Sequence, residues 1–272
     1  MRSAFDALLS ALALPVGAEV LLSGWTIPDM VRIVRAHGLV PVALDCAADT
    51  LAPTVAAAER RASPRTRVLV LAQLFGARVS LAPWAAFARR HGLLLVNDDA
   101  QGFTGPARLA SAPEADVSLY SFGAIKTATA LGGALVRVRD PALRDRMRHT
   151  MAAWPVQPAA RYARRVSTYL GLVAPRDPAR YALLAEALAS RGRDLDALIM
   201  GATRGFPADT PAALLRAIRW RPCDALADTL ARRLEGWDAR RLEARTAVGE
   251  TLRAGLQSAV RVLGAAMSDR TH

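Results

Sequence analysis

Two short stretches hold residues of the kinds that perform covalent chemistry. One, SFGAIKTATALGG (121–133), contains Lys126, the only lysine in 272 residues; every other member of the 36 lysines and arginines is arginine. A guanidinium stays charged at physiological pH, whereas a desolvated ε-amine can lose its proton and condense with a carbonyl to form a Schiff base. On a solvated surface the two cations are near-equivalent, so a lysine kept alone in an arginine-rich chain points to that chemistry. The second stretch, VNDDAQGFTGP (96–106), brings Asp98, Asp99 and Gln101 together.

The elements that must position these residues are legible as an alternation. EVLLS (19–23), PVALD (41–45), RVLVLAQ (67–73), LLLVND (93–98), VSLYSF (117–122) and GALVRVRD (133–140) read as buried strands. Helical patterns separate the earlier ones, and two of them, PDMVRIVRAHG and LAPWAAFARRHG, end on glycine. Strand, helix, strand in repetition predicts an α/β fold with a mostly parallel sheet between helices. Ligands in such sheets bind beyond the carboxyl ends of the strands, where Asp98, Gln101, Ser121 and Lys126 fall. An amine, an anion and a hydroxyl there suit pyridoxal 5'-phosphate, which needs a holder for its aldehyde, a counter-charge for its ring nitrogen and donors for its phosphate. Taken singly, an Asp at a strand end is more often a helix cap and a Ser before Gly more often a turn.

After Asp140 the pattern is helical. PALRDRMRHTMAAW (141–154) opens with proline, Leu226, Leu230, Leu234 and Trp237 make an apolar stripe, and GATRGFPADTP (201–211) reads as a loop. The expected division is a cofactor-binding α/β core over 1–145 and a helical extension over 146–272. The start, MRSAFDALLSALALPVGAEV, mimics a signal peptide, but Asp6 interrupts it while Phe5, Leu8, Leu9 and Leu12 fall at helical spacing. It reads as a buried first helix.

The net charge of +12 invites a nucleic-acid reading. The arginines, however, are interleaved with acids, as in ARRLEGWDARRLEAR, and only 6% of residues are aromatic, so a basic nucleic-acid-binding protein is the lesser alternative and no such partner is expected. Cys46, Cys223 and the histidines His37, His91, His149 and His272 form no metal-ligand spacing and no disulfide framework, which favours a reducing, cytoplasmic setting. No apolar run approaches the length that spans a bilayer.

LFG (74–76), DDAQ (98–101), the spacing Ser121–Lys126, and GGALVRV after the lysine together resemble the DegT/DnrJ/StrS aminotransferases, pyridoxal-phosphate enzymes of fold type I that mostly aminate nucleotide-linked keto sugars. The resemblance runs from about Arg2 to Gly255 and needs no gap across EVLLSGWTIPDMVRIVRAHGLVPVALD. It implies that Lys126 forms the internal aldimine and shuttles the substrate proton, Asp98 pairs with the pyridinium nitrogen, Gln101 lies against the ring oxygen, and Ser121 donates to the phosphate. It also implies an amino acid donor, glutamate by expectation, a keto acceptor, and a homodimer.

The departures from the family are specific. The aromatic residue expected after Thr26 is Ile27, leaving either Ile27 or Trp25 to cover the cofactor ring. The phosphate-binding turn falls at Met1, Arg2 and Ser3, and no asparagine occurs near Phe206 to Ala213. Asp99 replaces a small residue, and a second carboxylate either raises its neighbour's pKa or points away. Family members are longer at both ends, so the expectation is a large-domain core with the small domain largely missing. Such a chain is catalytically impaired alone or acts as a cofactor-binding regulator, unless it is a compact branch with a different substrate.

Overall fold

The structure, a computed structural model, describes residues 1–272 apart from 111–113, 174–176, 204–209, 265–266 and 268–272. Its sheet contains β1 (Glu19–Ser23), β2 (Val40–Leu44), β3 (Thr66–Ala72), β4 (Leu94–Asp98), β5 (Val117–Ser121) and β6 (Ala134–Val138), in the order β2-β1-β3-β4-β5-β6. β1 to β5 are parallel; β6 returns antiparallel to β5, with Ser121 opposite Ala134. The expected mostly parallel α/β sheet is therefore present, with strand limits close to those read from the apolar runs. The helices are α1 (Arg2–Leu12), α2 (Pro28–Ala36), α3 (Val55–Arg61), α4 (Ala82–His91), α5 (Pro141–Ala152), α6 (Ala159–Val173), α7 (Pro178–Ala189), α8 (Leu195–Thr203), α9 (Pro211–Ile218), α10 (Asp224–Glu235) and α11 (Ala239–Leu256).

Successive side chains of a strand point to opposite faces, and both faces here are covered. Val68, Val70 and Val96 join Phe5, Leu8 and Leu9 of α1, together with residues of α2, α5 and α9. Leu69, Leu71 and Leu95 join Trp84 and Phe87 of α4 and Ala58 of α3. Phe5, Leu8 and Leu9 are at most 2% exposed, each contributing about 1.5–3 kcal/mol of apolar burial. The first helix is thus a core element, as its spacing predicts. A third cluster gathers Phe103, Tyr120 and Phe122 with Leu226 and Leu230 of α10. Trp237 lies beyond the end of α10 yet still meets Phe103 edge-on at 5.3 Å. The stretch read as a loop from Gly201 needs correction at its start, because Gly201–Thr203 close α8; 204–209 lie outside the described residues.

The helical region is tied to the first helix through a buried acid. Asp6, with no exposed surface, accepts from Arg219 through both carboxylate oxygens (Nε 2.8 Å, Nη2 3.0 Å) and from His37 Nε2 at 2.8 Å. Burial alone raises the pKa of Asp6, but the hydrogen bonds from His37 and Arg219 outweigh it and hold the carboxyl below its ordinary 3.8. A depressed folded pKa contributes stability that is present above 3.8 and lost as pH falls through the folded value. Asp6→Ala, which leaves a bidentate arginine without its partner, is expected to cost about 3–5 kcal/mol in urea unfolding at pH 7. The difference from the parent shrinks as pH falls from 3.8 through the depressed folded value, because only below that value is the carboxylate protonated in both states.

Candidate active site

Five loops leave the carboxyl edge of the sheet, one after each of the parallel strands β1 to β5, and the residues singled out by their chemistry lie at or beyond the ends of β1, β4 and β5. Asp98 ends β4 and is 6% exposed. As an even-numbered neighbour of Val96 it faces α1, and its Oδ1 accepts from Ala100 N–H at 3.1 Å. Burial pushes its pKa up to about 6; the Ala100 N–H and the Lys126 cation oppose the rise, and Asp99 reinforces it. Asp99 itself is fully buried against Gly102, where an added Cβ would come 2.0 Å from Asp99 Oδ1.

Lys126 sits in the loop between β5 and β6, where its N–H donates to Gly123 O at 3.1 Å. That loop is closed at its base: Phe122 N–H donates to Gly133 O, and Phe122 O accepts from Ala130 and Gly132 N–H, all within 3.2 Å. α6 braces it, with Tyr162 Oη donating to Ala130 O and Arg165 Nη1 to Leu131 O, both at 2.9 Å. A Cβ at Gly132 would stand 2.7 Å from Arg165 Nη1, so any larger residue there would push that guanidinium aside. Desolvation lowers the pKa of the Lys126 amine below the usual 10.5, Asp98 opposes the shift, and Arg2 adds to it. Asp98 ends β4 and Lys126 lies in the loop that follows β5, the next strand of the sheet, so both stand at its carboxyl edge, and each charge opposes the shift of the other group.

The match to a family model then covers residues 2–171, more than half of the chain and every loop of this edge. The chain belongs to the DegT/DnrJ/EryC1/StrS aminotransferase family. Among solved structures, the sugar aminotransferase CalS13 from Micromonospora echinospora aligns with 93% of this chain and 60% of its own, at 22% identity and a TM-score of 0.56. An aminotransferase from Psychrobacter cryohalolentis aligns over 94% and 56%, at 19% identity and 0.56. DesV of S. venezuelae shares 28% identity over 54% of this chain and 40% of its own, with a TM-score of 0.46. The first two show the shared fold. The chain spans 40% to 60% of the length of these three structures.

Within this member of the DegT/DnrJ/EryC1/StrS family, the other expected site residues are placed as follows. Ser121 closes β5 two residues beyond Leu119, the register partner of Asp98, and so projects to the same face. Gln101 accepts through Oε1 from Phe75 N–H at 2.6 Å, an orientation that leaves its Nε2 as a donor. Ser3, in the first turn of α1, donates its hydroxyl to Ile218 O at 2.5 Å. Trp25 and Ile27 follow β1 and are 42% and 37% exposed, so Trp25 is not a core tryptophan.

One participant, Phe75, escaped the sequence reading, and Arg2 entered it only as part of the expected phosphate-binding turn. Arg2 reaches the site from the first turn of α1, gripped by the buried Asp29 through Nε at 2.5 Å. Phe75 acts through its main chain, and the glycine after it, Gly76 at φ 75°, was the available signal of a tight turn. Among the described residues no cluster of three His, Cys, Asp or Glu could hold a metal ion, and no helix is long and apolar enough to cross a membrane.

Proposed function

We propose that this chain is the cofactor-binding core of a pyridoxal-phosphate-dependent aminotransferase, with Lys126 and Asp98 as its acting pair. The observation that carries the reading is the placement of a buried carboxyl and the sole lysine at the carboxyl edge of an aminotransferase-family sheet. The donor set fits the cofactor: a desolvated amine, a buried anion lacking a full counter-charge, a hydroxyl on the same face and an amide turned to donate. When bound, pyridoxal phosphate supplies an aldehyde that holds amines and a protonated ring that accepts electrons from the carbon losing its proton.

The roles of the residues follow from their environments. Asp98, ionised above about pH 6, accepts from the ring nitrogen and keeps its proton in place. Lys126 Nζ would be the amine that holds the aldehyde of the cofactor, and, once the donor's amine takes its place, the base that would move the proton between the substrate carbon and its neighbour. Gln101 Nε2 donates to the ring oxygen. Ser121 Oγ donates to the phosphate, with Ser3 at the edge of the same anion site, and either Trp25 or Ile27 covers the ring. The amino donor is an amino acid, glutamate in this proposal, and the acceptor a nucleotide-linked keto sugar, the class that the family resemblance implies. The working unit in this reading is a homodimer in the cytoplasm, a setting that accords with the unpaired Cys46 and Cys223.

The direct assay is a half-reaction. Glutamate added to the loaded protein is expected to bleach the absorbance of the lysine-linked form and to release one equivalent of 2-oxoglutarate. A stable spectrum with no 2-oxoglutarate, across a panel of amino acids, would overturn amino transfer while leaving cofactor binding standing.

A further inference from the structure

Gln101 is oriented by the turn Leu74–Ala77, and that turn is strained. Phe75 and Gly76 both have positive φ, 51° and 75°, and Ala77 N–H donates to Leu74 O at 2.8 Å, which makes a type I′ turn. A bulky side chain in that conformation costs about 1–2 kcal/mol, so the turn persists because its surroundings hold it. Two restraints are local. Gln101 Oε1 accepts from Phe75 N–H, and the buried Gln73 accepts from Val79 N–H at 2.9 Å while donating to Asn97 Oδ1 at 3.0 Å.

The third comes from far along the chain. Met267, 8% exposed, is buried with Leu51 and Ala77, and Leu74 and Val79 pack against them, so its side chain contacts the cluster that includes both ends of the turn. Its own position is set by backbone bonds: Met267 N–H donates to Gly264 O at 3.0 Å, and Gly264 N–H donates to Ala48 O at 2.8 Å. Gly264 has φ 71° and lies so close to Leu51 that an added Cβ would stand 2.8 Å from Leu51 Cδ1. The outer ion pair Arg261–Asp49 at 2.9 Å is solvent-exposed and adds little.

We propose that Met267, docked through Gly264 on the loops that follow β2 and β3, is a positioning residue for Gln101: it fixes the turn whose Phe75 N–H sets the Gln101 amide. With the apolar contact gone, the strained turn relaxes, Phe75 N–H withdraws, and the Gln101 amide loses the restraint that keeps Nε2 turned toward the cofactor. The ligand named here rests on the proposed function; the link from Met267 to Gln101 rests on contacts alone.

The test therefore has one arm without cofactor and one with pyridoxal phosphate. In the unloaded full chain, Met267→Asp is expected to speed exchange of the Phe75 amide at least about tenfold, with Met267→Leu near the parent. In absorbance titrations with pyridoxal phosphate, Met267→Asp is expected to weaken binding about tenfold, whereas in a Gln101→Ala background it changes binding less than about twofold, because the group it positions is gone. If Met267→Asp does not fold, Gly264→Ala carries the same comparisons. Unchanged Phe75 exchange, or an equal loss of affinity with and without Gln101, would overturn the proposal. A parent that fails to bind pyridoxal phosphate while Phe75 exchange still responds would support the positioning and contradict the cofactor reading.

Discussion

Asp98→Asn is expected to make the unloaded protein more stable at pH 8 while removing most of its amino-transfer activity. The physical cause of both effects is the same buried carboxyl. Burial raises the pKa of Asp98 from 3.8 to about 6, so ionisation is resisted in the folded chain and free in the unfolded one. A raised folded pKa leaves full stability below 3.8 and loses it progressively as pH rises through 6. The gap corresponds to about 3 kcal/mol at its plateau, at 1.36 kcal/mol per pH unit. Asparagine keeps an oxygen for the Ala100 N–H, avoids the charge, and leaves the amine of Lys126 without its opposing anion. The stability advantage of the variant should be near zero at pH 3.5, grow between pH 4 and 6, and level off above; chemical unfolding across that series checks it. An advantage that does not change with pH would mean that Asp98 is not a buried acid. Activity should fall about a hundredfold or more, because a neutral amide cannot stabilise a protonated ring nitrogen as a fixed anion does.

Lys126→Ala and Lys126→Arg are expected to be equally inactive, each losing at least about a thousandfold in amino transfer. The arginine variant is the sharper of the two. It keeps a cation near Asp98, so the charge that opposes the rise in the Asp98 pKa survives, but a guanidinium neither condenses with an aldehyde nor carries a proton. The parent should also show a pH signature. Desolvation lowers the pKa of the amine below 10.5, so the rate of cofactor capture should climb with pH through a midpoint below that of free lysine. Stopped-flow absorbance over pH 6 to 10 is the measurement, and Arg2→Gln should move the midpoint upward, because Arg2 adds to the lowering.

What could be read from the chain and what could not divide along physical lines. The strands were legible because a parallel sheet buried on both faces writes itself as continuous apolar runs, and Leu69 with Val70 or Leu95 with Val96 show both faces filled. Lys126 was legible because composition isolates it, and Asp98 because a polar residue ends an apolar strand. Pairings between residues far apart along the chain were not legible: the bond from Ser3 to Ile218, the grip of Arg219 on Asp6, and the seat of Met267 in the cluster of Leu51 and Ala77 have no local signature. Main-chain participation was equally hidden, since the role of Phe75 belongs to its N–H and not to its side chain. Trp25 shows the limit of a residue-type prior, because a tryptophan that usually goes to the core stays 42% exposed at the rim of the site.

The central claim is that Lys126 is the amine that holds the cofactor. Because it is the chain's only lysine, reductive trapping gives an unusually clean answer. The purified protein is mixed with pyridoxal phosphate, reduced with borohydride, digested and mapped by mass spectrometry, beside Lys126→Ala treated identically. The expected result is one stoichiometric adduct on the peptide that carries Lys126, and none on the variant beyond slow labelling of the terminal amine. An unmodified Lys126 in the parent, or the same stoichiometric adduct in Lys126→Ala, would contradict it.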